Sequence, residues 1–151
     1  MRSNLLIKPH HFLDIIRDFG AGRSHQPHPY GHDVHRVAGV IREHPDTILE
    51  LTEEPDAICA PCRFLVDGNC IDITTSPGHL IPKDRWNRLI DRRILERLGL
   101  KEGDRLTTLE FCRLARERLG DLYSLYAEAD RIKTAQRRSL LEAGFEKYLT
   151  K

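Results

Sequence analysis

The feature of this sequence that most constrains its fold is a short segment rich in cysteine. Three of the chain's four cysteines, Cys59, Cys62 and Cys70, lie between Asp56 and Cys70. Two cysteines separated by two residues can direct both sulfurs at one centre, and a third that follows a glycine-containing turn can reach that centre from another side. The segment therefore predicts a metal ion or an iron-sulfur cluster. The fourth cysteine, Cys112, is remote in sequence, so the fold would have to bring it to such a site.

The size and composition of the chain predict one soluble domain. Its 151 residues, 40% of them hydrophobic and 31% charged, suit a single iron-sulfur-binding domain over 1–151. No apolar run approaches the roughly 20 residues of a membrane span. A formal net charge of +1 gives no reason to expect nucleic acid or a membrane as a partner. The N-terminus lacks the pattern of a signal peptide, so we expect a cytoplasmic protein, in which clustered cysteines favour metal binding or redox chemistry over disulfides.

Hydrophobic periodicity predicts a mainly α fold with a small β component, an α+β class, built around the cysteine-ligated centre. The predicted helices span 9–19, 32–43, 83–98, 107–119 and 121–147, and the predicted strands span 4–8 and 47–52. The last helix is expected to break near Ala143 and Gly144. Residues 71–82 are expected to form an irregular loop, and residues 100–106 are expected to form a turn built on Glu102, Gly103 and Asp104. The mixed charges of helix 83–98, Asp91 among them, are typical of a solvated face.

Cys112 has two interpretations. Thr107 followed three residues later by Glu110 has the form of a capping box, so a helix should begin there and hold Cys112 in its first turns. Backbone NH groups and the positive end of the helix dipole would stabilise a thiolate at that position. Phe111 and Leu114 beside it support the alternative, in which Cys112 is a small residue of the core.

The spacing of the cysteines favours a cluster over zinc. A structural zinc site usually takes its ligands as two close pairs, whereas Cys70 and Cys112 each stand alone in this sequence. An iron-sulfur cluster accepts three near cysteines and a remote fourth. We expect a [4Fe-4S] cluster bound by Cys59, Cys62, Cys70 and Cys112, with zinc as the alternative cofactor and metal-free thiols as a further one.

Histidines are concentrated near the N-terminus, where six of the chain's eight lie between His10 and His35. His10 and His11 fall with Asp14 in the first turns of the first predicted helix, and His32 and His35 share a face of the second. A free imidazole has a pKa of about 6.5, which suits proton transfer or metal binding near neutral pH. We expect these five residues to form a catalytic pocket for a substrate or a proton beside the metal. The alternative is that the histidines are solvated residues of a loop and a helix start.

Several short motifs of this chain occur together. Pro9-His10-His11 is followed by apolar residues, Asp-Ala-Ile-Cys-Ala-Pro-Cys occupies 56–62, and a third cysteine follows Gly68. The combination resembles an uncharacterised bacterial and archaeal family of iron-sulfur-binding proteins, and the likeness covers residues 6–103. It implies an iron-sulfur cofactor and names no reaction.

The chain departs from that family at two places. In the family a cysteine stands three residues after the second histidine, and a further cysteine cluster lies near the C-terminus. This chain has Asp14 at the first place and no cysteine after Cys112. The resemblance therefore leaves the fourth ligand to Cys112, to Asp14 or to a histidine.

The identity of the fourth ligand decides which function the sequence predicts. If all four cysteines bind, the cluster suits electron transfer, redox sensing or a structural role, with a redox protein as partner. If Cys112 does not bind, one iron is open to a small-molecule substrate, and His10, His11 or Asp14 can act as acid or base. A structural zinc protein that serves as an interaction module is the rival hypothesis. The sequence does not decide whether the chain is an enzyme, and it does not predict the oligomeric state.

Overall fold

The chain combines six helices with seven short strands in the part that the structure describes. The computed structural model describes residues 4–150. The elements, in chain order, are β1 (Asn4–Ile7), α1 (Pro9–Gly20), α2 (Val34–Glu43), β2 (Ile48–Leu51), β3 (Leu65–Val66), β4 (Asn69–Cys70), β5 (Ile73–Thr74), β6 (Ile81–Pro82), α3 (Lys83–Leu98), β7 (Arg105–Thr107), α4 (Thr108–Arg118), α5 (Leu122–Leu125) and α6 (Arg131–Leu149). Helices hold 49% of the residues and strands 13%, in agreement with the predicted mainly α chain with a small β component.

The main sheet has three strands in the order β1-β2-β7. β1 and β2 are parallel and are joined by a crossover that contains α1 and α2, as parallel strands require. β7 lies antiparallel along the other edge of β2. The alternating burial of β1 turns Leu5 and Ile7 into the core. This sheet fixes the start of α1, because only Lys8 separates β1 from that helix.

The helices enclose one hydrophobic core. α1 begins with Pro9, whose missing NH has no partner in a first turn. Its buried face includes Phe12, Ile15 and Ile16, which are fully buried. α1 packs most extensively on α6, and Phe12 makes an edge contact with Phe111 of α4 at a ring-centroid distance of 4.7 Å. Within residues 4–150, no helix has both the length and the apolar character needed to cross a membrane.

The structure corrects three local predictions. The predicted helix over 121–147 does not break at Gly144; it breaks between α5 and α6, and α6 passes through Gly144 without interruption. Gly144 lies where the backbones of α1 and α6 meet, since a β-carbon there would stand 2.0 Å from the carbonyl oxygen of Ile16. Residues 71–82 contain the antiparallel pair β5-β6. The turn predicted over 100–106 is present at 102–103, but residues 105 and 106 belong to β7.

Candidate functional site

Two tight turns shape the segment that carries the three clustered cysteines. The backbone NH of Cys62 donates to the carbonyl of Cys59 at 2.9 Å. Asp67 and Gly68 have φ values of 51° and 79°, and this pair with positive φ is typical of a two-residue hairpin turn. The hairpin pairs β3 with β4, so that Cys70 lies opposite Leu65, three residues after Cys62. All three cysteines are half-buried free thiols.

A histidine-containing loop packs against this cysteine segment. The NH of Arg63 donates to the carbonyl of Tyr30 at 2.7 Å, and the NH of Asp33 donates to that of Ile58 at 3.0 Å. These bonds place His32, which lies between the two loop residues, beside the segment. The pKa of His32 is lowered, chiefly by burial and then by the charge of neighbouring His28. In the described part of the chain its Nδ1 atom is buried and has no hydrogen-bond partner.

Asp56 anchors the cysteine segment to the start of α1. Its buried carboxylate accepts hydrogen bonds from the backbone NH of Lys8 at 2.7 Å and from Nδ1 of His11 at 2.7 Å. It also accepts from the NH groups of Ile58 and Cys59, at 3.0 and 3.1 Å. Burial by itself would raise the pKa of Asp56, but these bonds and the charge of His11 hold it well below its usual range. The carboxylate therefore fixes the positions of both His11 and Cys59.

The same contacts bring a histidine nitrogen and a thiol together. Among residues 4–150, the three side chains whose potential ligand atoms all lie within 4.8 Å of one another are His11, Asp56 and Cys59. Burial raises the pKa of the Cys59 thiol to about 12 and the Asp56 carboxylate adds to this, while the charge of Lys8 acts in the opposite direction. Without a bound metal Cys59 is thus a neutral thiol, so metal binding there must release a proton.

His10 is held by a second buried carboxylate. Nδ1 of His10 lies 2.9 and 3.0 Å from the two carboxylate oxygens of Asp91, and its backbone NH donates to Asp91 at 2.7 Å. The rings of His10 and His11 stand 4.3 Å apart between centroids. Because each Nδ1 is bound to its own carboxylate, each ring has Nε2 left as the nitrogen for a ligand or a proton. Two such Asp–His pairs side by side can donate and accept protons.

A polar cavity of about 180 Å³ lies against the two histidines. Its lining includes His10, His11, Asp14, Lys83 and Arg137. Asp14 accepts from a guanidinium nitrogen of Arg137 at 2.8 Å, and the pKa of Asp14 is lowered because its arginine neighbours outweigh the effect of burial. Asp14 is therefore a carboxylate paired with Arg137 at the wall of the cavity.

We expect the stability that His10 provides to depend on pH. Burial alone would lower the pKa of His10, but the charge and hydrogen bond of Asp91 outweigh it and raise that pKa above 6.5, with Asp14 adding to the rise and Lys8 opposing it. A raised pKa means that the contribution is fully present below pH 6.5 and is lost as the pH rises through the folded value. The difference in unfolding free energy between the wild-type chain and His10→Gln should therefore fall with rising pH, by at most about 1.4 kcal/mol per pH unit.

Urea unfolding between about pH 6 and pH 9 measures this difference. Asp91→Asn removes the same ion pair and should reproduce the trend. A difference that stays constant over this range in both variants would show that the imidazolium form of His10 is not favoured by folding.

The structure separates the remaining predicted site residues. His35 lies on α2, where its Nε2 is 4.0 Å from Asp33, and it is not among the residues that line the cavity. Cys112 is fully buried in the core on α4. Burial raises the pKa of its thiol to about 12, so the expected stabilisation of a thiolate there is wrong. Arg113 and Arg116 of its own helix are the charged groups that act on this thiol among the described residues.

Three contributors to the site were not identified from the sequence. Asp91 was assigned to a solvated face, but it is fully buried. Its spacing from Ile94, Leu95 and Leu98 places it on the apolar stripe of α3. A charged residue within the apolar stripe of a helix indicates that its charge is buried. Lys8, 2% exposed, and Arg137 are brought to the site by the tertiary fold, so no local pattern reveals them.

Comparison with known proteins identifies the family of this chain but no function for it. A sequence model described as "Protein of unknown function (DUF1284)" matches residues 28–125. No curated protein and no solved structure matches the chain. The match confirms the expectation of an uncharacterised family, and it names neither a cofactor nor a reaction.

Proposed function

The chain belongs to the DUF1284 family, whose function is unknown, and we propose a function from the site. We propose that the protein binds a [4Fe-4S] cluster and uses it in redox or cluster-assisted chemistry on a small molecule. The observation that carries this proposal is that Cys59, Cys62 and Cys70 are half-buried thiols of one segment, with Cys59 close to His11, while Cys112 lies in the core. The three-cysteine version with one open iron follows from this arrangement.

The donor set fits a cluster. Three half-buried thiols lie in one segment, and the Nδ1 atom of His32 beside them is buried without a partner. Cys112 lies in the core. A cluster bound by Cys59, Cys62 and Cys70 would therefore have a fourth iron without a cysteine ligand. The fourth iron would then be the one open to a substrate.

The spacing of the thiols favours a cluster over a single zinc ion. Tetrahedral zinc with Zn–S bonds of about 2.3 Å requires its sulfurs to stand roughly 4 Å apart. Within residues 4–150, the three clustered cysteines do not form a group that close, whereas His11, Asp56 and Cys59 do. A cluster spreads its cysteines over separate irons and so accepts a wider spacing. The close group is the observation that keeps zinc as the second candidate.

The chain's own residues supply the rest of the proposed chemistry. A bound cluster would contribute an electron or an open iron that polarises a substrate oxygen. Asp91 and Asp56 hold Nδ1 of His10 and His11 and so orient each ring with Nε2 free. A histidine held in this way can take a proton from a substrate or return one. Arg137 neutralises Asp14, which leaves the two histidines as the acid–base groups of the cavity.

The first test is the metal content of the protein. Anaerobic purification should yield about four iron atoms and four acid-labile sulfides per chain, with the visible absorbance of a cluster. Zinc analysis of the same samples tests the alternative. Zinc at about one atom per chain, without sulfide, would rule out the cluster and support the structural zinc protein.

A further inference from the structure

We propose that the cavity beside His10 and His11 binds a small oxyanion, the carboxylate or phosphate group of a small molecule. The inference deepens the proposed function and rests on it for the reaction, because it names the class of molecule on which the site would act. Binding itself depends only on the cavity described above.

The size of the cavity limits the ligand. Its volume of about 180 Å³ equals the space of roughly six water molecules in the liquid. Pockets for drug-sized ligands begin at about 300 Å³. The cavity therefore takes a compact molecule or the charged end of a larger one.

The charges of the lining favour an anion. Lys83 and Arg137 approach the cavity from two different helices, α3 and α6. The carboxylate in the lining, Asp14, is bonded to Arg137 and lies 3.4 Å from Arg17, so it is already neutralised. The guanidinium of Arg137 also packs on the Tyr126 ring, 4.8 Å from its centroid. Since a guanidinium has five N–H donors, Arg137 can hold a ligand oxygen in addition to these two partners. Lys83 is 3.5 Å from Asp72, and its side chain remains 45% exposed.

The start of α3 adds to the positive potential. The helix has sixteen residues, begins at Lys83 with Pro82 at its cap position, and has no side-chain cap. Asp84 in the first turn is itself paired with Arg88 at 2.9 Å, so the positive end of the helix dipole still contributes at the cavity wall. Asn87 lines the wall one turn further on and can donate a hydrogen bond to an oxygen.

A wider cleft gives access from the same side. It has a volume of about 740 Å³ and shares Trp86, Tyr126 and Arg137 with the cavity. Arg23 and Lys133 lie along it and are exposed. Cationic side chains along an approach attract anions and raise their local concentration. Glu128 and Asp130 also line the cleft, where Arg17, Arg23, Lys133 and Arg137 outnumber them.

Trp86 makes the inference testable, since it is the only tryptophan of the chain and lines the cavity. The anaerobically purified protein is titrated with malonate, with inorganic phosphate and with uncharged malonamide at constant ionic strength, and Trp86 fluorescence is followed. A saturable change with malonate or phosphate and none with malonamide supports the site, and the tighter of the two anions identifies the source. The proposal is overturned if malonamide gives a saturable change at the same concentration. It is also overturned if neither malonate nor phosphate gives one.

Variants separate the cavity from general surface charge. Lys83→Gln and Arg137→Gln should each lower the affinity for malonate or phosphate by about tenfold or more, because each removes a charged hydrogen bond. Lys101→Gln makes the same change at an exposed position that does not line the cavity, and it should bind like the wild type. If Arg137→Gln fails to fold, Lys83→Gln decides alone. Equal affinity in Lys83→Gln and Lys101→Gln would overturn the proposal.

Iron and sulfide are measured on every sample. A protein that binds the anion but holds no cluster would refute the proposed function and leave the anion site standing. A protein that holds its cluster but binds neither anion would refute the anion site and leave the proposed function standing. The two failures are therefore distinguishable.

Discussion

Alanine at Cys59, Cys62 or Cys70 is expected to remove most of the iron and acid-labile sulfide from the purified protein, whereas alanine at Cys112 is expected to leave both in place. The first three thiols are half-buried in one segment, and Cys112 is fully buried in the core. A cluster held by three thiolates loses a third of its cysteine ligands with each of the first three substitutions. Iron and sulfide per chain, together with visible absorbance after anaerobic purification, measure the effect.

Cys112→Ala is the matched control because it is the same chemical change at the remaining cysteine. Loss of its buried side chain should lower the free energy of unfolding by roughly 1 kcal/mol, with cluster content unchanged. If folded Cys112→Ala, checked by circular dichroism, loses its iron together with the other variants, Cys112 is the fourth ligand and the open-iron arrangement is wrong. If Cys62→Ala instead retained its full iron content, Cys62 would not be a ligand of the cluster.

Features that local chemistry determines could be predicted from the sequence. Pro9 suits the first turn of a helix and begins α1. Thr107 accepts the NH of Glu110 at 3.1 Å, as the capping box predicts. Gly99 ends α3 in the left-handed conformation, with φ at 69°. Such signals act over a few residues, so they hold wherever the rest of the chain lies.

Pairings between distant residues could not be predicted in the same way. Asp91 meets His10 across 81 positions and Arg137 meets Asp14 across 123. No spacing rule connects residues so far apart, because their meeting depends on how α1, α3 and α6 pack. Of the five residues expected to form a pocket, His10, His11 and Asp14 line one cavity, and His32 and His35 do not. The residues that pair with them, Asp91 and Arg137, come from other elements.

Gly144 shows how the same residue type can have two opposite meanings. Glycine near the end of a helical pattern can mark a break, and it can also mark a close approach of two backbones. At Gly144 the backbone of α6 meets α1, and at Gly20 the backbone of α1 meets α6, where a β-carbon would stand 2.0 Å from the carbonyl oxygen of Leu140. The partner helix decides between the two meanings, and it is not visible in the local sequence.

Gly144→Ala is therefore expected to destabilise the protein strongly. Its β-carbon would stand 2.0 Å from the carbonyl oxygen of Ile16, a backbone atom that can move only if α1 and α6 separate. Because the clash is with a backbone atom, the cost of overpacking should lie at about 3 kcal/mol or more, which outweighs the gain of about 1 kcal/mol from replacing glycine by alanine in a helix. Urea unfolding should show a net loss of roughly 2 kcal/mol or more.

Gly39→Ala is the matched control for this prediction. Gly39 lies within α2, and a β-carbon there would have no neighbour within 4 Å among the described residues. This variant should keep or raise stability by up to about 1 kcal/mol, since only helix propensity changes. Because α1 carries His10 and α6 carries Arg137, separation of the two helices in Gly144→Ala should also weaken the binding of malonate or phosphate. If Gly144→Ala unfolds at the same urea concentration as Gly39→Ala, the two helices are not in backbone contact, and the cavity between them has a different shape.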